Sequence, residues 1–115
     1  MPTVDELYDR AVDCIAAGDL EAAVQAYRQA LALDPDFADG WEGLSMALAD
    51  LGHFDEAIAA AERVVTLLPD ELLSYTNMSR INQKAGDVPK AEEWAAKGRM
   101  LDWKQQLKSG KPPPQ

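Results

Sequence analysis

The stretch "AGDLEAAVQAYRQALALDPDF", Ala17 to Phe37, returns as "LGHFDEAIAAAERVVTLLPDE", Leu51 to Glu71, and again as "AGDVPKAEEWAAKGRMLDWKQ", Ala85 to Gln105. Overlaid, the three share one register. Gly18, Gly52 and Gly86 lie 34 residues apart, as do Ala23, Ala57 and Ala91. Pro35 and Pro69 keep the same step, and Trp103 stands where a third proline falls. Leu7, Trp41 and Tyr75 form a column of bulky residues; Ala11, Ser45 and Ser79 form one of small residues. Several independent columns at one period leave little room for chance, and a period of this length signals stacked supersecondary units.

Each unit reads as two helices. Apolar residues recur at three- and four-residue steps: Leu44, Ala47, Leu48 and Leu51, then Ala57, Ile58, Ala61, Val64, Val65 and Leu68. Gly52 falls between them, where a helix end favours positive φ. Thr3 and Glu6 have capping-box spacing. His53 and Asp87 are placed to cap the helices that follow the turns, and Asp36 and Asp70 to cap those after the prolines. The pattern predicts six helices, 4–17, 20–33, 38–51, 54–67, 72–85 and 88–108. The small columns let backbones approach, while Tyr27, Trp41 and Tyr75 fill the spaces between.

A bulky residue, a small one four places on, Gly seven places later, then Ala and a closing Pro: repeated every 34 residues, this resembles the tetratricopeptide repeat. "WEGLSMALADLGHFDEAIAAAERVVTLLP", Trp41 to Pro69, carries the resemblance best, and it extends over about Val4 to Asp102. It implies an all-α fold, a right-handed α-solenoid of three antiparallel helix-turn-helix hairpins with an extended C-terminal helix. The single domain is expected over 1–108, with repeats at about 4–37, 38–71 and 72–105. A disordered Pro-rich tail is expected at 109–115. Leu7 departs from the usual aromatic, as suits a terminal repeat. Asn82 replaces an apolar residue, which predicts looser packing there. The third unit has no closing proline, so its second helix need not stop.

Composition narrows the function classes. The chain has 115 residues, enough for one domain, with 47% hydrophobic residues, alanine foremost, and only 7% aromatic. That mixture favours helix over strand. Net charge is −9, which argues against nucleic acid or an anionic membrane surface as partner. No run approaches the ~20 apolar residues of a membrane span. The acidic N-terminus lacks a signal-peptide pattern, so a soluble, cytoplasmic protein is expected. One cysteine and one histidine make neither an internal disulfide nor a Cys/His metal site.

No catalytic constellation is visible, so no enzyme and no cofactor are expected. His53 reads as a helix cap or solvated turn residue, and Cys14 as a buried structural thiol without a base to activate it. The resemblance implies instead a non-catalytic protein- or peptide-binding module, an adaptor or scaffold, whose first helices line an inner groove. Carried over by position, the groove holds Asp5, Tyr8, Asp9 and Val12, then Asp39, Glu42, Gly43, Met46 and Asp50, then Leu73, Thr76, Asn77, Arg80, Gln83 and Lys84. Gly43 is expected to leave a notch in its floor. Co-chaperone members of this family grip a chaperone's C-terminal carboxylate with Lys, Asn and Arg at five groove places. Here those places hold Tyr8, Val12, Gly43, Leu73 and Asn77, which bring no charge, so that partner is not expected.

Charge is lopsided. Residues 1–71 hold 16 Asp/Glu against 3 Lys/Arg, net −13; residues 72–115 hold 4 against 8, net +4. Because repeats stack in sequence order, this becomes a polarity along the stack. It predicts a guest segment with Lys or Arg toward the first two repeats, and Arg80 and Lys84 open to an acidic or polar group. The alternative reading is a homo-oligomer, either through the C-terminal helix or by head-to-tail charge complementarity. Ala96, Met100, Trp103 and Leu107 fall on one face of that helix. It is expected either to shield the end of the stack or to dimerise through Trp94, Met100, Trp103 and Leu107.

Overall fold

The computed structural model describes residues 1–110. Six helices follow one another: α1 Val4–Ala16, α2 Leu20–Leu33, α3 Ala38–Asp50, α4 Phe54–Leu67, α5 Leu72–Lys84 and α6 Val88–Ser109. Successive pairs form hairpins, and each helix packs on its neighbours in the chain, with α3 also meeting α5. The result is an all-α solenoid of three stacked hairpins. No helix among the described residues is long and apolar enough to cross a membrane.

The three hairpins turn in the same way. Gly18, Gly52 and Gly86 have φ of +80°, +83° and +85°. One residue further, the amides of Asp19, His53 and Asp87 donate to the carbonyls of Cys14, Leu48 and Asn82, each at 2.9 Å. This is the Schellman closure, which requires a left-handed residue where a Cβ is costly. Asp19 and Asp87 then start the next helix, their Oδ1 atoms accepting from the amides of Ala22 and Lys90 at 3.1 Å. His53 occupies the same N-cap place without a side-chain bond. The box at α1 is half formed: Thr3 Oγ1 accepts from the Glu6 amide at 3.1 Å and donates to Glu6 Oε1.

The caps between hairpins differ from the sequence expectation. Asp36 and Asp70 do not cap α3 and α5; the N-cap residues are Phe37, which makes no side-chain bond, and Glu71, which accepts from the Leu73 amide. The turn runs one residue further than the prolines suggested. What anchors it is the bulky column. Trp41 Nε1 donates to the Pro35 carbonyl at 2.7 Å, and the Tyr75 hydroxyl to the Pro69 carbonyl at 2.9 Å. Leu7 has no polar atom to do this and is simply buried.

The core is one continuous cluster along the stack. Ala23 and Ala57 are fully buried and Ala91 nearly so. Ala11 and Ser45 are fully buried, and Ser79 is half-buried. Asn82 loosens nothing: it is 1% exposed, and its amide donates to the Met78 carbonyl at 2.8 Å. Cys14 is half-buried rather than buried.

Two expectations about the C-terminal end change. Helix α6 does run past the missing proline, ending at Ser109 with Gly110 at φ +75°, so two residues assigned to the tail are helix and cap. Residues 111–115 lie outside the described residues. The extension does not shield the end of the stack. Met100, Trp103 and Leu107 are themselves 58%, 45% and 59% exposed. The outer face of the third hairpin is polar instead. Where repeat two has Met46, Ala49, Val65 and Leu68, repeat three has Arg80, Gln83, Arg99 and Asp102, a polar outer face of the kind a terminal repeat requires.

Candidate peptide groove

The first helices of the hairpins, α1, α3 and α5, are tied together along one face. Tyr8 of α1 is half-buried, its ring edge-on to Phe37 at 5.3 Å and 5.9 Å from Tyr27. Its phenol is pushed above the ordinary value of 10.0 by burial first, then by the charges of Asp39, Glu42 and Asp9. The charges acting on it come from two helices, Asp9 of α1 and Asp39 and Glu42 of α3. Among the described residues Asp5, Asp9 and Asp39 are exposed and form no ion pair.

Between α3 and α5 the charges are already engaged. Glu42 Oε1 accepts from Asn77 Nδ2 at 3.0 Å, and Asn77 Oδ1 accepts from Arg80 Nη2 at 2.8 Å. Asn77 is buried at this joint. Asp50 pairs with Lys84 at 3.0 Å, each side chain about half exposed. So Lys84 is not left open for an acidic guest, as the charge count suggested, because Asp50 holds it; Arg80 is exposed and makes one bond to the neutral Asn77 amide. Helices at equivalent places in a stack are neighbours, so opposite charges 34 residues apart, Asp50 and Lys84, were a readable signal for that pair.

The floor differs as well. Gly43 leaves no notch. A Cβ there would lie 2.4 to 2.6 Å from Tyr27 ring atoms, so the space is filled by Tyr27 reaching from α2. The apolar contribution of the groove comes from half-open residues: Val12 and Met46 at 44% exposed and Leu73 at 57%. Thr76 and Gln83 are exposed. Tyr8 thus feels the charges of Asp9, Asp39 and Glu42, Glu42 is linked through Asn77 to Arg80, and Lys84 is paired with Asp50.

The remaining sequence candidates lie on α6. Trp94 is turned inward, 6.0 Å from Tyr75 with Lys97 over its ring at 4.1 Å, and does not belong to an exposed strip. Met100, Trp103 and Leu107 do form one.

The sequence profile of the family described as "Tetratricopeptide repeat" matches residues 8–71. The chain is 31% identical over 98 residues to the "Hsp70-Hsp90 organizing protein" of Triticum aestivum, covering 85% of this chain and 17% of that protein. It is 25% identical over 92 residues to "Tetratricopeptide repeat and J domain-containing co-chaperone DNJ1" of Cryptococcus neoformans, covering 80% and 18%. It thus spans less than a fifth of the length of these curated relatives. Among solved structures, MamA superposes with TM-score 0.85 at 21% identity, over 92% of this chain and 57% of the other. The "TPR2B-domain:pHsp70-complex of yeast Sti1" gives 0.79 at 24% identity, over 86% and 79%. At such identities these two likenesses are to the fold alone.

Proposed function

This chain belongs to the tetratricopeptide repeat family, and from that premise we propose that it is a non-catalytic adaptor or scaffold, cytoplasmic, that holds a protein or peptide segment on the face of α1, α3 and α5. The observation that carries the reading is the set of exposed carboxylates Asp5, Asp9 and Asp39 on α1 and α3, without ion pairs among the described residues, with Val12 and Met46 half open on the same helices. Unneutralised carboxylates held together favour a cationic guest, so the segment carries Lys or Arg toward the first two repeats. Each exposed pair contributes only ~0–1 kcal/mol. Affinity then rests on several pairs plus apolar contact at Tyr8, Val12 and Met46, and falls as salt screens charges beyond about 8 Å.

The names of the curated relatives raise a chaperone as partner. A grip on a free C-terminal carboxylate needs cationic donors. Tyr8, Val12, Gly43, Leu73 and Asn77 supply none, and Gly43 is covered by Tyr27. We therefore favour an internal basic segment over a chaperone terminus. The test is an array of short random peptides probed with the parent and with an Asp9→Asn, Asp39→Asn variant. The parent is expected to select Lys- and Arg-containing peptides, more weakly as salt rises, and the variant to lose the preference. Absence of that preference, or its survival in the variant, sinks the reading.

A further inference from the structure

The ends of the stack are charged at the positions that are buried inside it. Helix α3 meets the preceding hairpin through Gly40, Gly43, Leu44 and Ala47, and α5 through Ser74, Asn77, Met78 and Ile81; all are buried or half-buried. Their counterparts in α1 are Glu6, Asp9, Arg10 and Asp13, all exposed and without ion pairs among the described residues. At the other end, an open cleft of about 570 Å³ between α5 and α6 is lined by Arg80, Gln83, Arg99, Trp94 and Asp102 among others. Arg99 pairs with Glu92 of its own helix at 2.7 Å, an exposed pair that a second carboxylate can join or replace. One end carries Glu6, Asp9 and Asp13 against Arg10, the other Arg80 and Arg99 against Asp102.

We propose that this chain assembles head to tail with copies of itself, α1 of one copy seated on the α5–α6 face of the next in the register its own repeats use. The internal joints state which residues would meet. At Gly40 the nearest side chains include Leu31, whose counterpart in the third hairpin is Arg99; the counterpart of Gly40 in α1 is Glu6. Ile81 shares a cleft with Met46 and Ala49, whose counterparts are Arg80 and Gln83; the counterpart of Ile81 in α1 is Asp13. Asn77 bonds Glu42; the corresponding pair is Asp9 with Thr76. Leu44 lines a cleft with Ala32 and Pro35, whose counterparts are Met100 and Trp103; its own counterpart is Arg10.

In that register Glu6 meets Arg99, and Asp13 meets Arg80 and Gln83. The stem of Arg10 lies across Met100 and Trp103, its guanidinium over the indole. The same contact covers Met100 and Trp103, which α6 leaves open. Two of the four correspondences oppose charges, Glu6 with Arg99 and Asp13 with Arg80. The contact is heterologous, so it grows into an open filament or closes into a ring according to its rotation.

The experiment is sedimentation velocity over a range of concentrations and salt on four samples: the parent, a Glu6→Lys, Asp13→Lys variant, an Arg80→Glu, Arg99→Glu variant, and the two variants mixed. Melting curves confirm that the variants fold, and the milder Glu6→Gln, Asp13→Asn variant serves if a reversal does not. The parent is expected to associate at low salt and dissociate at high salt. Each variant alone has two ends of one sign and should associate about tenfold or more weakly. The mixture restores two complementary contacts and should associate again. A parent that stays monomeric at low salt and high concentration overturns the proposal, as does a mixture that stays monomeric while the parent associates.

Discussion

Gly43 has no side chain, yet the packing there is tight. In an exposed helix interior, Gly→Ala gains about 1 kcal/mol from propensity. Here the added methyl meets the ring of Tyr27, which is 4% exposed and has no room to withdraw. Overpacking of this kind costs about 1–3 kcal/mol. Gly43→Ala should therefore lower stability in urea melts, and in a Tyr27→Ala background the same change should raise it. Equal effects in both backgrounds would disprove the contact. Tyr8 gives a second test. Folding raises the pKa of Tyr8 and of Tyr27, in both chiefly through burial. A phenol so shifted holds its proton more tightly folded than unfolded. Its contribution is whole below the ordinary value of 10.0 and is lost as pH rises from there through the folded value. Stability should fall on the alkaline side of pH 10, and less steeply in Tyr8→Phe. An unchanged slope in that variant removes Tyr8 from its acidic surroundings.

At the scale of elements, the hairpins are held by close small contacts, α6 included through Ala91 and Trp94, while its turns past Asp102 are held by less. Ala57 has no exposed surface, and a tryptophan there must push α4 off its neighbours. Cutting the chain after Asp102 removes half-exposed Trp103, exposed Leu107 and the bond from Gln105 to the Asp70 carbonyl at 2.7 Å. That loss is about 1 kcal/mol, and the cut removes exposed apolar surface instead of creating it. Ala57→Trp costs about 1–3 kcal/mol or more. In thermal melts the truncated chain should unfold above the Ala57→Trp variant; the reverse order would mean that α6 carries more of the fold than its packing shows.

The whole molecule is elongated, 49 × 31 × 21 Å, with a radius of gyration of 15.6 Å against about 13 Å for a compact 100-residue domain. A stack whose hairpins touch only their neighbours distributes stability along its axis. The middle hairpin is packed on both sides, by Tyr27 from one neighbour and by Asn77, Ile81 and Met78 from the other. Hydrogen exchange should be slowest in α3 and α4, faster in α1, and fastest in the last turns of α6. Protection in α1 equal to that in α3 would show a single cooperative block. If the copies assemble as proposed, α1 should gain protection with concentration at low salt.

The sequence by itself determined the repeat and almost every helix boundary, because a 34-residue registry of Gly, Ala and aromatic columns repeats the same local physics three times. Gly18, Gly52 and Gly86 could be placed in equivalent turns from their spacing, since only φ and hydrogen bonding inside one hairpin decide it. The groove was legible as a set of positions, not as a set of contacts. That Glu42 is taken by Asn77, Asp50 by Lys84 and the gap at Gly43 by Tyr27 depends on side chains of different hairpins meeting in space. The caps at Phe37 and Glu71 likewise follow from where one hairpin docks on the next, not from the Asp residues nearest the prolines. Local rules fix each hairpin. The joints between them, and so which charges remain free, are decided by packing across residues far apart in the chain.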